Sequence, residues 1–185
     1  VSLICLNLPS DIRYKPENMF LYGIIPGPLE PPLDCMNHYL RFLIDDLLEC
    51  WSPGVQFSRT HQYFYGRVAL CALICLVCDL VGARKTMGFG GIGHNQMCAL
   101  CHCKRGLSGP KITNMHSWQR RTNEDYRASA QRYLDAEDDK ERETIFKETG
   151  IRWSELLRLP YFDPSRFVVI DAMHNLFLGL IKEHF

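Results

Sequence analysis

The 185-residue chain carries 21 basic and 21 acidic side chains, is 46% hydrophobic and 23% charged, and has a formal net charge of zero. That composition supports a globular domain with a real core and excludes a disordered or low-complexity chain. It also lacks the basic excess from which a free-standing nucleic-acid binder draws most of its non-specific affinity.

The longest apolar run, Val68 to Cys78, is interrupted by Asp79, whereas a membrane-spanning helix needs about 20 such residues. No charged leader with a signal-type apolar core opens the sequence, so the expected location is nuclear or cytoplasmic, without a membrane. The nine cysteines form an odd set, and several lie in apolar runs. That pattern fits reduced thiols or metal ligands better than a secreted disulfide framework. The chain opens inside an apolar segment at Val1 and stops at Phe185 inside a helical pattern. It reads as an internal fragment or a degenerate reading frame.

In chain order, Ser2–Leu8 and Met19–Ile25 are short apolar runs, the first expected to be a buried strand. With the polar stretch Asp11–Asn18 between them they predict a long-looped hairpin. Met36, Tyr39, Leu40, Leu43, Ile44, Leu47 and Leu48 fall at helical period and predict an amphipathic helix stopped at Ser52-Pro53-Gly54. Adjacent Asp45 and Asp46 on that helix point about 100° apart, so they read as a solvated edge. Val55–Tyr65 is expected to be extended. The continuous run VALCALICLVC then predicts a strand covered on both faces, and LVGARKTMGFGG a short helix entering a Gly-rich loop.

Beyond the cysteine cluster Cys98–Cys103 the pattern turns helical. Thr122 with Asp125 makes a capping-box start, Lys140–Thr149 ends in a glycine C-cap at Gly150, and Ser154–Leu159 is a third short helix. Arg166–Asp171 returns to strand character, and Ala172–Phe185 is an apolar helix. No internal repeat is present. The order of elements is that of an α/β domain.

Two groups of residues could carry chemistry. Asp79 and Asp171 each follow an apolar strand-like run, the end of an α/β sheet at which ligands gather. If the two strands are neighbours, both carboxylates can face one cleft, where hard divalent cations are held by such oxygens. The alternative is that each is a strand terminator or helix N-cap.

The segment His94-Asn-Gln-Met-Cys98-Ala-Leu-Cys101-His102-Cys103 follows Gly90-Gly91-Ile92-Gly93. A C-x2-C turn aims two thiolates at one tetrahedral zinc, with further ligands drawn from His94, Cys103, His116 or a distant residue. The alternative is a set of ordinary thiols. Cys75-Leu-Val-Cys78 has the same spacing, but on a strand the odd offset separates the two thiols onto opposite faces. It reads as core. Lys104, Arg105, Lys111, Arg120 and Arg121 with His116 and Trp118 form a modest basic region, suited either to nucleic acid or to a solvated loop.

LVCDLVGARKTMGFGGIGHNQMCALC resembles the segment around the second catalytic aspartate of En/Spm-type (CACTA) DNA transposases, fungal ones above all. RFVVIDAMHNLFLGL resembles the same family's later Asp-x2-His motif. LPSDIRYKPENMFLYGIIPGPLEP and RWSELLRLPYFDP are similar to further family segments, so the resemblance spans essentially the whole chain.

It implies an incomplete RNase H-like (DDE transposase) core with a helical insertion and a zinc knuckle. The parts are 1–93 through the Asp79 strand, 94–165 as knuckle and insertion, and 166–185 with Asp-x2-His. The family site holds two divalent metals, Mg²⁺ or Mn²⁺, on two aspartates and a glutamate. On this resemblance Asp79 is the second aspartate, while Asp171 and His174 support the site. His94, Cys98 and Cys101, with Cys103 beside them, are the candidate ligands of a structural Zn²⁺. Val81-Gly82 stand where the family usually has Pro-Ala. The first aspartate is expected upstream of Val1 and the glutamate downstream of Phe185.

The implied partner is transposon-end DNA, bound by the intact protein. Carrying one carboxylate of three, the polypeptide by itself is expected not to cut DNA. The competing reading is a zinc-stabilised, non-catalytic remnant that binds DNA or protein.

Overall fold

The structure is a computed structural model describing residues 1–32, 35–106 and 112–184; Leu33, Asp34, Lys111 and Phe185 lie outside the described residues. The architecture is mixed α/β, with helices around three separate two-stranded sheets among the described residues. Two compact units divide the chain, Val1–Cys35 and Met36–Phe185.

In the first unit, β1 (Ser2–Ile4) pairs antiparallel with β2 (Met19–Leu21), Leu3 facing Phe20. The expected hairpin forms, but its strands are short and β2 is exposed along its length, so Ser2–Leu8 is not a buried strand. The connection coils into α1 (Ser10–Arg13). Arg13 folds back from it, donating to the Leu6 and Leu8 carbonyls at 2.7–2.9 Å and so pairing backbone groups that no strand ladder serves.

The second unit begins with α2 (Met36–Trp51). Leu40, Leu43, Ile44 and Leu47 are its buried residues, one stripe at i, i+3, i+4 and i+7. Full burial of such side chains contributes roughly 1.5–3 kcal/mol each. Tyr39 flanks the stripe, and Asp45 stays on the solvated edge, 2.7 Å from Arg158. Asn37 fixes the docking: its amide donates to the Trp153 carbonyl and accepts from the Glu155 N–H, both at 3.0 Å.

The run Val68–Cys78 is not one buried strand. It divides into β4 (Arg67–Ala69), paired antiparallel with β3 (Val55–Phe57), and β5 (Leu76–Cys78). Leu70, Ile74 and Val77 are each at least half exposed. Periodicity cannot distinguish one covered strand from two short exposed ones joined by a bend. Cys75 lies in that bend, and both Cys75 and Cys78 are half-buried, so the pair is not core.

The main core lies further on. Met87, Phe89, Tyr126, Ala130, Ile151 and Leu157 pack as one buried cluster. It is framed by α3 (Leu80–Thr86), α4 (Asn123–Asp135) and α5 (Asp139–Thr149). The expected caps are present. Thr122 and Asp125 form the capping box, and Gly150 ends α5 at φ 74, a left-handed turn that favours glycine.

Gly88, at φ 73, lets the chain pass Arg152, whose carbonyl lies 2.6 Å from where a Cβ would stand. The Phe89–Ile151 bridge results, with Arg152 N–H donating to the Gly88 carbonyl at 2.8 Å. Ser154–Leu159 closes as a 3-10 turn (Glu155–Arg158) capped by Ser154. Arg166 and Phe167 belong to α6 (Pro164–Phe167) rather than to the strand, leaving β6 as Val168–Ile170. A π-helical segment, Met173–Ile181, and α7 (Lys182–His184) follow. No helix among the described residues is long and apolar enough to cross a membrane.

Candidate functional site

β5 and β6 pair in parallel, with Leu76 opposite Val168, Val77 opposite Val169 and Cys78 opposite Ile170. Asp171 N–H continues the ladder, donating to the Cys78 carbonyl at 2.7 Å. The neighbouring-strand arrangement that the sequence left open is therefore present. Asp79 and Asp171 leave the carboxyl ends of adjacent parallel strands at the same level.

Each carboxylate also organises the backbone after it. Asp79 is exposed and caps α3, its Oδ1 accepting from Gly82 N–H at 2.5 Å. An added Cβ on Gly82 would stand 3.0 Å from that oxygen, so the absent side chain leaves room for the cap. Asp79 Oδ2 has no hydrogen-bond partner among the described residues. Asp171 uses both oxygens: Oδ1 accepts from Met173 N–H at 2.9 Å, and Oδ2 pairs with His174 Nδ1. The His174 hydrogen bond, with the Met173 N–H, holds Asp171 below the usual carboxylate range. Reciprocally, the hydrogen bond to Asp171 and its charge raise the His174 imidazole, and the charge of Asp79 adds to the rise. The three residues thus share one electrostatic neighbourhood, with cap and ligand roles compatible at Asp79.

Among the described residues, no three His, Cys, Asp or Glu side chains converge closely enough to hold a metal ion. Asp79 Oδ2 is an oxygen of the type hard divalent cations take, and one carboxylate does not by itself make a metal site. Asp171 is committed to His174 and suits a supporting role.

The cysteine segment is a compact knuckle. Gln96 bridges to Lys104 and Cys101 to Arg120, and Met97 N–H donates to the Cys103 carbonyl at 3.0 Å. Leu100 N–H donates to Cys98 Sγ at 3.4 Å. Burial first, then the neighbouring Cys98 thiol, raises the Cys101 thiol, with Cys103 contributing. Cys98 and Cys101 are thus near neighbours on the turn.

His94 is placed differently. Its Nδ1 accepts from Gln96 N–H at 3.0 Å, it hydrogen-bonds the Phe146 backbone, and its ring lies 4.9 Å from the Phe146 ring. Burial lowers its pKa. These contacts make His94 a packing element between the glycine loop and α5. His102 pairs with Asp125 at 3.4 Å.

Sequence reasoning missed what supports the knuckle. Arg84, 6% exposed, stacks 4.8 Å over Phe89 and donates to the Gly90, Met97 and Gly91 carbonyls at 2.6–3.0 Å. Arg121, read as part of a basic surface, is 5% exposed. It stacks 5.2 Å over the same ring and donates to the Cys98 and Cys101 carbonyls and to Gln96. Within the region read as basic, Lys104, Arg105, His116 and Arg120 are exposed. The available signal was the Ala83-Arg84 and Gly88-Phe89 pairs inside the motif, which turn out to be the centre of the cluster.

Fold and site together define an α/β protein with paired carboxylates beyond parallel strands and a cysteine knuckle alongside. The chain belongs to the transposase family tnp2, whose sequence model matches residues 1–150. The match takes in Asp79 and the knuckle and ends before Asp171 and His174. Comparison with curated proteins and with solved structures gives no match.

Proposed function

We propose that this chain serves an En/Spm-type (CACTA) transposase as part of an RNase H-like catalytic domain that cuts and joins transposon-end DNA in the nucleus. The observation that carries the reading is the parallel β5–β6 register, which sets Asp79 and Asp171 at the ends of adjacent strands, with His174 paired to Asp171. In this reading Asp79 supplies one metal-ligating carboxylate, and the remaining ligands come from elsewhere in the intact transposase. A bound Mg²⁺ or Mn²⁺ supplies Lewis-acid activation of the attacking water or 3′-hydroxyl and stabilises the leaving oxygen. Asp79 holds its carboxylate at the head of α3, with Oδ1 fixed by Gly82 N–H and Oδ2 turned free. Asp171 fixes the imidazole ring of His174 and keeps it protonated over a wider pH range.

Strand cleavage by the intact transposase on a transposon-end duplex tests this. Asp79→Asn should lower the rate on the order of 10³-fold, as expected for several kcal/mol of lost metal-centred stabilisation. Asp171→Asn and His174→Ala should each cost about 10–100-fold, as supporting residues do. Wild-type rates in Asp79→Asn would overturn the assignment. The polypeptide Val1–Phe185 alone should show no Asp79-dependent cleavage.

A second reading, a zinc-stabilised binding module without catalysis, is favoured by the nearness of Cys98 and Cys101 on the turn. It requires stoichiometric zinc lost in a Cys98→Ser/Cys101→Ser variant, with Asp79→Asn harmless to binding and to every other activity.

A further inference from the structure

The loop between β3 and β4 lies outside the elements that carry the carboxylates. The loop 58–66 reads Ser-Arg-Thr-His-Gln-Tyr-Phe-Tyr-Gly, and Arg67 opens β4. It is built rather than slack. Thr60 N–H donates to the Tyr63 carbonyl at 2.9 Å, and Tyr63 N–H donates back to Thr60 Oγ1 at 3.0 Å. Gly66, at φ 88, closes the turn where a Cβ would meet the Phe57 carbonyl at 2.5 Å.

This frame carries three consecutive aromatic rings into solvent. Tyr63 is 43% exposed, Phe64 63% and Tyr65 fully so. Contiguous exposed aromatics are a costly surface unless something covers them. Two cations accompany the rings. Arg59 lies 4.8 Å over Phe64 and Arg67 lies 4.6 Å over Tyr63. Neither guanidinium forms an ion pair or hydrogen bond among the described residues. The whole stretch Trp51–Cys78 contains no Asp or Glu, in a chain whose acids and bases otherwise balance. His61, Gln62, Tyr63 and Arg67 also line an open hollow of ≈ 630 Å³ on the same loop.

We propose that this loop is a stacking platform for unpaired bases of DNA, with Tyr65 and Phe64 meeting base faces and Arg59 and Arg67 meeting the flanking phosphates. Aromatic rings take any base by its face, while arginine over a ring holds a cation beside the stack. The absence of acidic residues from this stretch of sequence favours a polyanion over a basic protein partner. The proposal rests on the transposase reading only in that DNA is the substrate. It concerns a separate surface, which serves strands opened during cutting and joining.

The test is fluorescence anisotropy of the 185-residue chain with a short labelled oligothymidylate and with a duplex of equal length, in EDTA. Under those conditions no divalent metal bridges DNA to the carboxylates. The expected result is a preference for the single strand. Tyr65→Ala and Phe64→Ala should each weaken it about tenfold. Arg59→Ala and Arg67→Ala should each flatten the salt dependence by roughly 0.7 in log–log slope. All four side chains are at the surface, and unchanged circular dichroism would show the fold intact. Single-strand affinity unaltered in the ring variants, or duplex bound as tightly, would overturn the proposal. So would self-association of the chain that disappears in Tyr65→Ala, which would make the rings a contact between copies. Binding measured this way requires no strand cleavage, so failure of the stacking site and failure of the transposase reading are distinguishable.

Discussion

The cluster around Phe89 and the ledge formed by β5, β6 and the π-helical segment differ in what holds them. Around Phe89, apolar packing and hydrogen bonding reinforce each other. Phe89, Tyr126, Ala130 and Ile151 are fully buried, and the guanidiniums of Arg84 and Arg121 serve loop carbonyls that no helix or strand could pair. On the ledge the strands are three residues long, Val77 and Val169 are exposed, and Met173, Phe177 and Leu178 stand in solvent. The carboxylates sit on the lightly covered region, while the family motif's Arg and Phe build the densely packed one.

Substitutions sharpen that contrast. Phe89→Ala should have the largest effect, destabilising the chain by about 3–5 kcal/mol in urea denaturation, because it opens a cavity and removes the ring beneath two guanidiniums. A loss under 1 kcal/mol would mean the cluster is not a core. Thr122→Ala should cost about 1 kcal/mol by removing the α4 cap, seen as a lower denaturation midpoint at unchanged slope. Phe177→Ala should change stability by no more than roughly 0.5 kcal/mol; a core-sized loss there would break the comparison.

The ledge should instead respond to pH. His174, raised by Asp171, contributes most below the usual imidazole value and loses that contribution as pH rises through its elevated pKa. Asp171, lowered, contributes above the usual carboxylate range and loses it as pH falls through its depressed pKa. The pair is thus fully engaged in mildly acidic solution. NMR titration of the metal-free chain should place His174 above a free imidazole, and Asp171→Asn should move it back down. An unmoved midpoint would remove the coupling.

Legibility followed the range of the interaction. The α2 stripe, the Thr122–Asp125 box and the Gly150 cap were readable because each is settled within a few residues of its own sequence. The break between β4 and β5 was not, since a continuous apolar run is equally consistent with one covered strand. His94 and Arg121 were read from residue type and spacing as ligand and surface cation. Their surroundings, Phe146 and Phe89, come from distant sequence and turn both inward. For the candidate site, the sequence supplied Asp79, Asp171, His174 and the thiols, but not their arrangement.

By itself, then, the sequence determined the longer helices α2, α4 and α5, the Thr122 and Gly150 caps, the family and the residue types available for chemistry, because local periodicity and short motifs encode these directly. Only the tertiary structure decided that Cys78 lies opposite Ile170, so that two strand-end carboxylates become neighbours. It alone decided that Cys98 and Cys101 are near neighbours while His94 packs elsewhere, and that two arginines lie beneath the knuckle. Those outcomes depend on which distant segments pair and what they bury, and no window of neighbouring residues carries that information.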